Sequence, residues 1–155
     1  MYKKILVTLD GSEFSECSLE HVKAIASGCR VPETILLRVV EPFSTEVISA
    51  LAMAGGDVLR KAEQESHAEA SNYLAKTRNS LAKDGLAVEV VSVDGRPAEK
   101  ILDYAKKNKV DLIVMTTHGK TGVSRWFFGS VSQKVLQHSA IPVLIITPPG
   151  CRTGA

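Results

Sequence analysis

The fold is decided most clearly by one stretch, Leu112-Ile113-Val114-Met115-Thr116, and by the loop after it, which ends at Gly129-Ser130. A near-continuous apolar run of this length predicts a strand that is covered on both faces. Four further strands are predicted, at Ile5–Leu9, Ile35–Val40, Val88–Val93 and Val143–Ile146.

Helical periodicity separates these strands. Apolar residues recur at helical spacing over four stretches, Leu19–Cys29, Leu59–Leu81, Ala98–Ala105 and Val131–Leu136. The alternation predicts an α/β fold with a mostly parallel sheet between two helical layers, because right-handed crossovers place helices on both faces. Such sheets bind ligands beyond the carboxyl ends of their strands, so the loops after the strands are the candidate functional segments.

Composition sets limits on the class of protein. The 155 residues, 45% hydrophobic and 23% charged, suit one domain, which we expect over 1–147 with a flexible tail over 148–155. The formal net charge of +2 argues against a nucleic-acid surface. The apolar run at Ile5-Leu6-Val7 is too short for a signal peptide or a membrane span, which favours a cytoplasmic protein. The three cysteines have neither disulfide nor zinc-site spacing.

An acidic residue ends the first predicted strand. Asp10, followed by Gly11 and Ser12, would stand at the ligand-binding edge of the sheet. Its carboxylate can accept hydrogen bonds from ribose hydroxyls or a base amine, or hold a metal. Asp10 or Ser12 can equally cap the following helix, and the residues leave both interpretations open.

The loop after the fourth strand has the chemistry of a phosphate site. Its glycines let backbone N–H groups approach an anion, and Ser130 stands where a helix begins, as a phosphate ligand or a cap. His118 either reaches a phosphate or makes a hydrogen bond within the loop. The loop lacks both the G-x-x-x-x-G-K-[ST] and the G-x-G-x-x-G patterns. Possible phosphate-proximal side chains are His118, Lys120 and Arg125.

These segments together resemble the universal stress protein family along nearly the whole chain. The ATP-binding branch of that family carries Gly, two residues, Gly, nine residues, then Gly-Ser or Gly-Thr. Gly119 and Gly129-Ser130 match this spacing, whereas Thr116 replaces the first glycine and adds a Cβ and a hydroxyl. The flanking matches are Tyr2–Val7 with Asp10-Gly11-Ser12, Leu36–Val40, Gly95–Ala98 with Ile101, Val110–Met115 and Pro142–Leu144.

The resemblance implies a three-layer, five-stranded, Rossmann-like sheet of the adenine nucleotide α-hydrolase-like type, with strand order 3-2-1-4-5. It implies a protein that binds ATP, or AMP or ADP, and acts in stress response or regulation with slow or no hydrolysis. Mg²⁺ or Mn²⁺ would bridge the phosphates, and the Val39 backbone would pair with adenine. The implied nucleotide-binding residues are Asp10, Val39, Met115, Thr116, Gly119, Gly129, Ser130 and Val131.

Thr116 leaves a second function open, that of a family member that binds no nucleotide and acts through protein contacts alone. No catalytic triad or metal-ligand set indicates a dedicated enzyme, and the regulatory protein partner is not identified by the residues. The segment Ser44–Asp57 is either a surface connection or an apolar lid or partner surface.

The last predicted strand favours self-association. Val143–Ile146 carries no charge and is expected at an edge of the sheet, where unpaired backbone groups invite another strand. We therefore predict a homodimer through this strand, with Pro142 interrupting the pairing at its start, and the family resemblance implies the same arrangement.

Overall fold

The computed structural model describes residues 2–117 and 129–147. The sheet has five strands in the order β3-β2-β1-β4-β5, and all four strand pairs are parallel. This confirms the predicted fold class and strand order. The strands are β1 (Lys4–Thr8), β2 (Glu33–Val40), β3 (Val88–Asp94), β4 (Leu112–Thr116) and β5 (Val143–Ile146).

Helices flank the sheet, and in the described residues none is long and apolar enough to cross a membrane. Ser12 caps the first helix, since its side chain accepts a hydrogen bond from the Ser15 N–H, which bears out the capping interpretation for Ser12. The Ser44–Asp57 segment, which the sequence allows to be either a connection or a lid, contains a helix. The helices are α1 (Glu13–Glu16), α2 (Ser18–Gly28), α3 (Thr45–Met53), α4 (Gly56–Lys83), α5 (Pro97–Lys107) and α6 (Ser130–His138).

Two apolar cores form because successive strand residues point to opposite faces of the sheet. Ile5, Val7, Leu36 and Val114 belong to the core that Val22 of α2 and Leu74 of α4 complete. The other core contains the alternate strand residues together with side chains of α5 and α6, namely Leu6, Ile35, Leu37, Ile113, Met115, Ile101 and Val135. Full burial of each large apolar side chain contributes about 1.5–3 kcal/mol. The central strands are therefore held firmly, and their carboxyl ends meet at one edge of the sheet.

Candidate functional site

A cleft of about 490 Å³ opens at the carboxyl edge of the sheet. It lies where the chain of β1 leaves the sheet between β2 and β4, which is the position where doubly wound sheets bind ligands. The amino ends of α5 and α6 complete it. Seven of the predicted site residues line the cleft: Asp10, Val39, Met115, Thr116, Gly129, Ser130 and Val131.

The remaining predicted residues, Gly119, His118, Lys120 and Arg125, lie outside the described residues. The predicted tail over 148–155 lies outside them as well.

Asp10 is oriented by the turn that follows β1. Its Oδ1 accepts hydrogen bonds from the Ser12 N–H at 2.9 Å and from the Ser12 hydroxyl at 2.6 Å. This turn requires Gly11 to adopt a φ of 85°, a conformation that glycine takes without the steric cost of a Cβ. The carboxylate is thus held in one orientation at the cleft, while Ser12 serves as the helix cap.

The backbone groups of Val39 point toward the β1 side of β2, beyond the point where β1 ends. The β1–β2 pairing ends at Thr8 and Leu37, and the Leu9 N–H then donates to the Leu37 carbonyl oxygen at 2.9 Å. Peptide groups of a strand alternate between its two neighbours, so the N–H and C=O of Val39 point to the same side as those of Leu37. A planar ligand at the end of β1 can therefore exchange a pair of hydrogen bonds with Val39.

Gly129 is needed because two backbone segments come very close together. Its N–H donates to the carbonyl oxygen of Thr117 at 2.7 Å, and a Cβ on Gly129 would lie 2.7 Å from the same oxygen. A side chain at position 129 would therefore meet the Thr117 carbonyl oxygen. Gly129 rather than Ser130 is the N-cap residue of α6, which corrects the expectation that Ser130 could cap this helix.

The first turn of α6 directs hydrogen-bond donors at the cleft. The first N–H to bond back into the helix is that of Gln133, which donates to the Gly129 carbonyl oxygen at 3.0 Å. The N–H groups of Ser130, Val131 and Ser132 precede it and belong to the set that has no intrahelical acceptor. Together with the positive end of the helix dipole, they suit an anionic group.

Thr116 is accommodated as the last residue of β4. It is 8% exposed and pairs with Ile146 of β5. Because side chains alternate along a strand, Thr116 points to the opposite face from Met115, whose side chain belongs to the core of α5 and α6. The extra Cβ that distinguishes this position from glycine is therefore directed away from the α6 side of the sheet.

Sequence reasoning missed Arg38, which lines the cleft and is 5% exposed. The available signal was a charged residue inside an otherwise apolar predicted strand. Glu41 and Ser66 also line the cleft and carry no comparable signal. Within the described residues, no group of three or more histidine, cysteine, aspartate or glutamate side chains is placed to hold a metal ion.

Comparison with known proteins supplies the family. The universal stress protein family matches residues 1–147. The universal stress protein MJ0577 of Methanocaldococcus jannaschii is 35% identical, over 94% of this chain and 95% of its own. A solved structure of MJ0577 covers 100% of this chain and 99% of its own, with a TM-score of 0.82 and 32% identity.

Two more distant structures share the fold. A universal stress protein in complex with cAMP has a TM-score of 0.68 at 24% identity, over 94% of this chain and 97% of its own. A family protein of Arabidopsis thaliana with AMP bound has a TM-score of 0.69 at 19% identity, over 99% of this chain and 96% of its own. With the family match covering nearly its whole length, this chain belongs to the universal stress protein family.

Proposed function

We propose that this protein binds an adenine nucleotide, with ATP favoured over AMP and ADP, in the cleft at the carboxyl edge of the sheet, and that it acts in stress response or regulation. One observation carries the proposal. The Asp10 carboxylate, the first turn of α6 and the Val39 backbone groups that face the space beyond the end of β1 all line one cleft. The cAMP and AMP complexes of the two related proteins support the same ligand class.

The cleft has different chemistry at its two ends, and a nucleotide matches both. Asp10 offers acceptors, which suit ribose hydroxyls, and Val39 offers the donor–acceptor pair that the adenine edge requires. The first turn of α6 offers N–H donors, which suit phosphate oxygens. In this arrangement Mg²⁺ or Mn²⁺ would arrive with the nucleotide, and phosphate oxygens and water would hold it.

Hydrolysis is expected to be slow or absent. Among the described residues that line the cleft, Arg38 is the one cation, and its guanidinium is paired with Glu69 of α4. No histidine lines the described part of the cleft as a general base. A steady-state ATPase rate of about 1 per second or more, typical of dedicated enzymes, would contradict this expectation.

The first experiment is to denature the purified protein and identify released small molecules, followed by calorimetry with ATP, ADP and AMP. Asp10→Ala should weaken ATP binding, whereas Asp94→Ala, which removes an acid at the end of β3 away from the cleft lining, should not. Unchanged affinity in Asp10→Ala would refute the site. If no nucleotide is released and none binds, the alternative function through protein contacts alone stands.

Thr116→Gly separates the two functions further. Because the Thr116 side chain faces away from the α6 side of the sheet, restoring the glycine should change ATP affinity little. If the wild-type protein binds no ATP and Thr116→Gly does, the threonine blocks the site and the protein-contact function is favoured.

We also propose a homodimer through β5, the edge strand next to β4. The other edge strand, β3, carries the charged residues Glu89 and Asp94, whereas β5 is wholly apolar. Thr117 and Ile113 donate to the carbonyl oxygens of Ile146 and Pro142, so by alternation Val143 and Ile145 present their backbone groups outward. Pro142 faces β4 and does not interrupt the outer edge, contrary to the expectation from the sequence.

The dimer is tested with Ile145→Pro. Proline removes the Ile145 N–H, which faces the outer edge, and leaves the hydrogen bonds between β5 and β4 intact. Light scattering at micromolar concentration should show a dimer for the wild-type protein and a monomer for Ile145→Pro. The control Leu144→Ala trims a side chain that packs on the core and leaves the outer edge intact, so it should remain dimeric. A monomeric wild-type protein would refute the proposal.

A further inference from the structure

Arg38 is a buried cation in the middle layer of the fold. Its side chain is 7% exposed, and its Nη2 donates to Oε1 of Glu69 on α4 at 3.0 Å. The guanidinium carbon lies 5.3 Å from the ring centroid of Tyr73, also on α4. Burial raises the pKa of Tyr73 to about 12, so the ring beside the cation stays neutral. Arg38 thus joins β2 to α4.

The same guanidinium also supports the turn that carries Asp10. A Cβ built on Gly11 would lie 3.0 Å from Nη1, 3.2 Å from Cζ and 3.3 Å from Nη2 of Arg38. These nearly equal distances place it over the face of the guanidinium rather than at its edge. Gly11 therefore faces the flat surface of Arg38, and a Cβ at this position would find little room between them.

This arrangement is costly for a purely structural residue. In the described part of the chain, the buried Nη1 of Arg38 has no hydrogen-bond partner. The partner of Nη2, Glu69, has a side chain that is 69% exposed, so water screens the pair. Apolar residues often replace such buried cations without loss of stability. Stability alone therefore does not explain an arginine here, and a role at the cleft does.

We propose that Arg38 is a positioning residue for the nucleotide site, which holds the Asp10–Ser12 turn against α4 and thereby fixes the direction of the Asp10 carboxylate. The effect on ligand affinity rests on the proposed nucleotide-binding function, and the effect on the turn does not. Arg38 acts through Asp10: the guanidinium supports Gly11, the Gly11 conformation permits the turn, and the turn orients Oδ1 toward Ser12.

The binding arm of the test is a double-mutant cycle with ATP, measured by calorimetry on wild type, Arg38→Met, Asp10→Asn and the double variant. Methionine keeps an apolar stem and removes the guanidinium. Arg38→Met should weaken ATP binding about tenfold in the wild-type background and have almost no effect in Asp10→Asn, because coupled residues are not additive. Equal losses in both backgrounds would overturn the proposal.

The second arm needs no ligand. Amide hydrogen exchange of Ser12 and Ser15, whose N–H groups bond within the turn, should accelerate about tenfold in Arg38→Met if the turn loosens locally. The control Arg60→Met removes an exposed α4 arginine paired with Asp57 and should leave both amides unchanged. Unchanged exchange in Arg38→Met would overturn the proposal, whether or not the protein binds ATP.

Arg38→Lys supplies a second variant. Lysine keeps the charge that pairs with Glu69 but lacks the planar surface on which Gly11 packs. It should accelerate the Ser12 and Ser15 amides as methionine does, and this comparison decides the matter if Arg38→Met fails to fold. Wild-type exchange rates in Arg38→Lys would overturn the proposed contact. Absence of nucleotide binding in the wild type, with faster exchange in the variants, would refute the proposed function alone.

Discussion

Gly129→Ala should destabilise the whole fold, because the added methyl group has no room. Its Cβ would lie 2.7 Å from the Thr117 carbonyl oxygen, inside the 3.0 Å that real Cβ contacts essentially never breach. That oxygen cannot simply swing away, since it accepts the Gly129 N–H at 2.7 Å and the Ser132 hydroxyl at 3.2 Å. The end of β4 and the start of α6 must therefore separate.

Overpacking of this kind costs about 1–3 kcal/mol. With a urea m-value of about 2 kcal/mol/M, a loss of about 2 kcal/mol moves the unfolding midpoint down by about 1 M. The same loss lowers the melting temperature by about 4–8 °C for a domain of this size. Both quantities are measured by far-UV circular dichroism.

Gly28→Ala is the matched control. Gly28 is the last residue of α2, and a Cβ there meets nothing within 4 Å, so alanine should be neutral or stabilise by up to about 1 kcal/mol. If Gly129→Ala unfolds at the wild-type urea concentration, the close approach to Thr117 does not constrain the fold. Steric exclusion of a Cβ would then be the wrong reason for a glycine at position 129.

Three further outcomes are expected. The N–H groups of Lys3 and Lys4 donate to Asp111 and hold the pKa of its carboxyl below its usual value. The ionised carboxyl therefore stabilises the fold above about pH 4, and this contribution is lost as the pH falls through the folded pKa. The urea midpoints of wild type and Asp111→Asn should converge between about pH 5 and pH 2. Ser44→Ala removes the N-cap of α3, a helix with no buried residue, so amide exchange should accelerate within α3 while the melting temperature changes little. Leu74→Ala should cost about 2–5 kcal/mol in urea unfolding, because the side chain is 2% exposed in the core.

Most of the sheet could be predicted from local pattern alone. β4 and β5 begin and end at the predicted residues, because each is an apolar run with a clear boundary: Asp111 precedes β4, and Pro142 precedes β5. β2 begins at Glu33 rather than Ile35, since pairing with β1 extends over a charged residue that Lys4 neutralises at 2.9 Å. The helix in the Ser44–Asp57 segment could not be predicted firmly, because α3 is apolar yet buries no residue and lacks the usual one-sided pattern.

Seven predicted site residues line the cleft, and most of them were predicted from the family resemblance. From the residues alone, the site could be predicted only where one residue carries its own signal. Asp10 stands out as an acid at the end of an apolar strand. Glycine is required at position 129 because the Thr117 carbonyl oxygen, twelve positions earlier in the chain, leaves no room for a Cβ. No local sequence pattern predicts that contact. Arg38 is similar, because its support of Gly11 depends on β2 lying beside β1 in the folded sheet. Both contacts join segments that are distant in sequence, so no local pattern predicts them.

The sheet links the two ends of the cleft, the Asp10 turn and the start of α6. The Asp10 turn continues β1 and the Thr117–Gly129 contact continues β4, and these strands pair through Val7 and Val114. Adjacent strands lie about 4.8 Å apart, so the sheet fixes the distance between the points at which the two segments leave it. A ligand that bridges them needs hydroxyl donors at one end and anionic acceptors at the other. Ribose joined to phosphate meets that requirement, whereas an extended peptide, with donors and acceptors alternating along its length, does not.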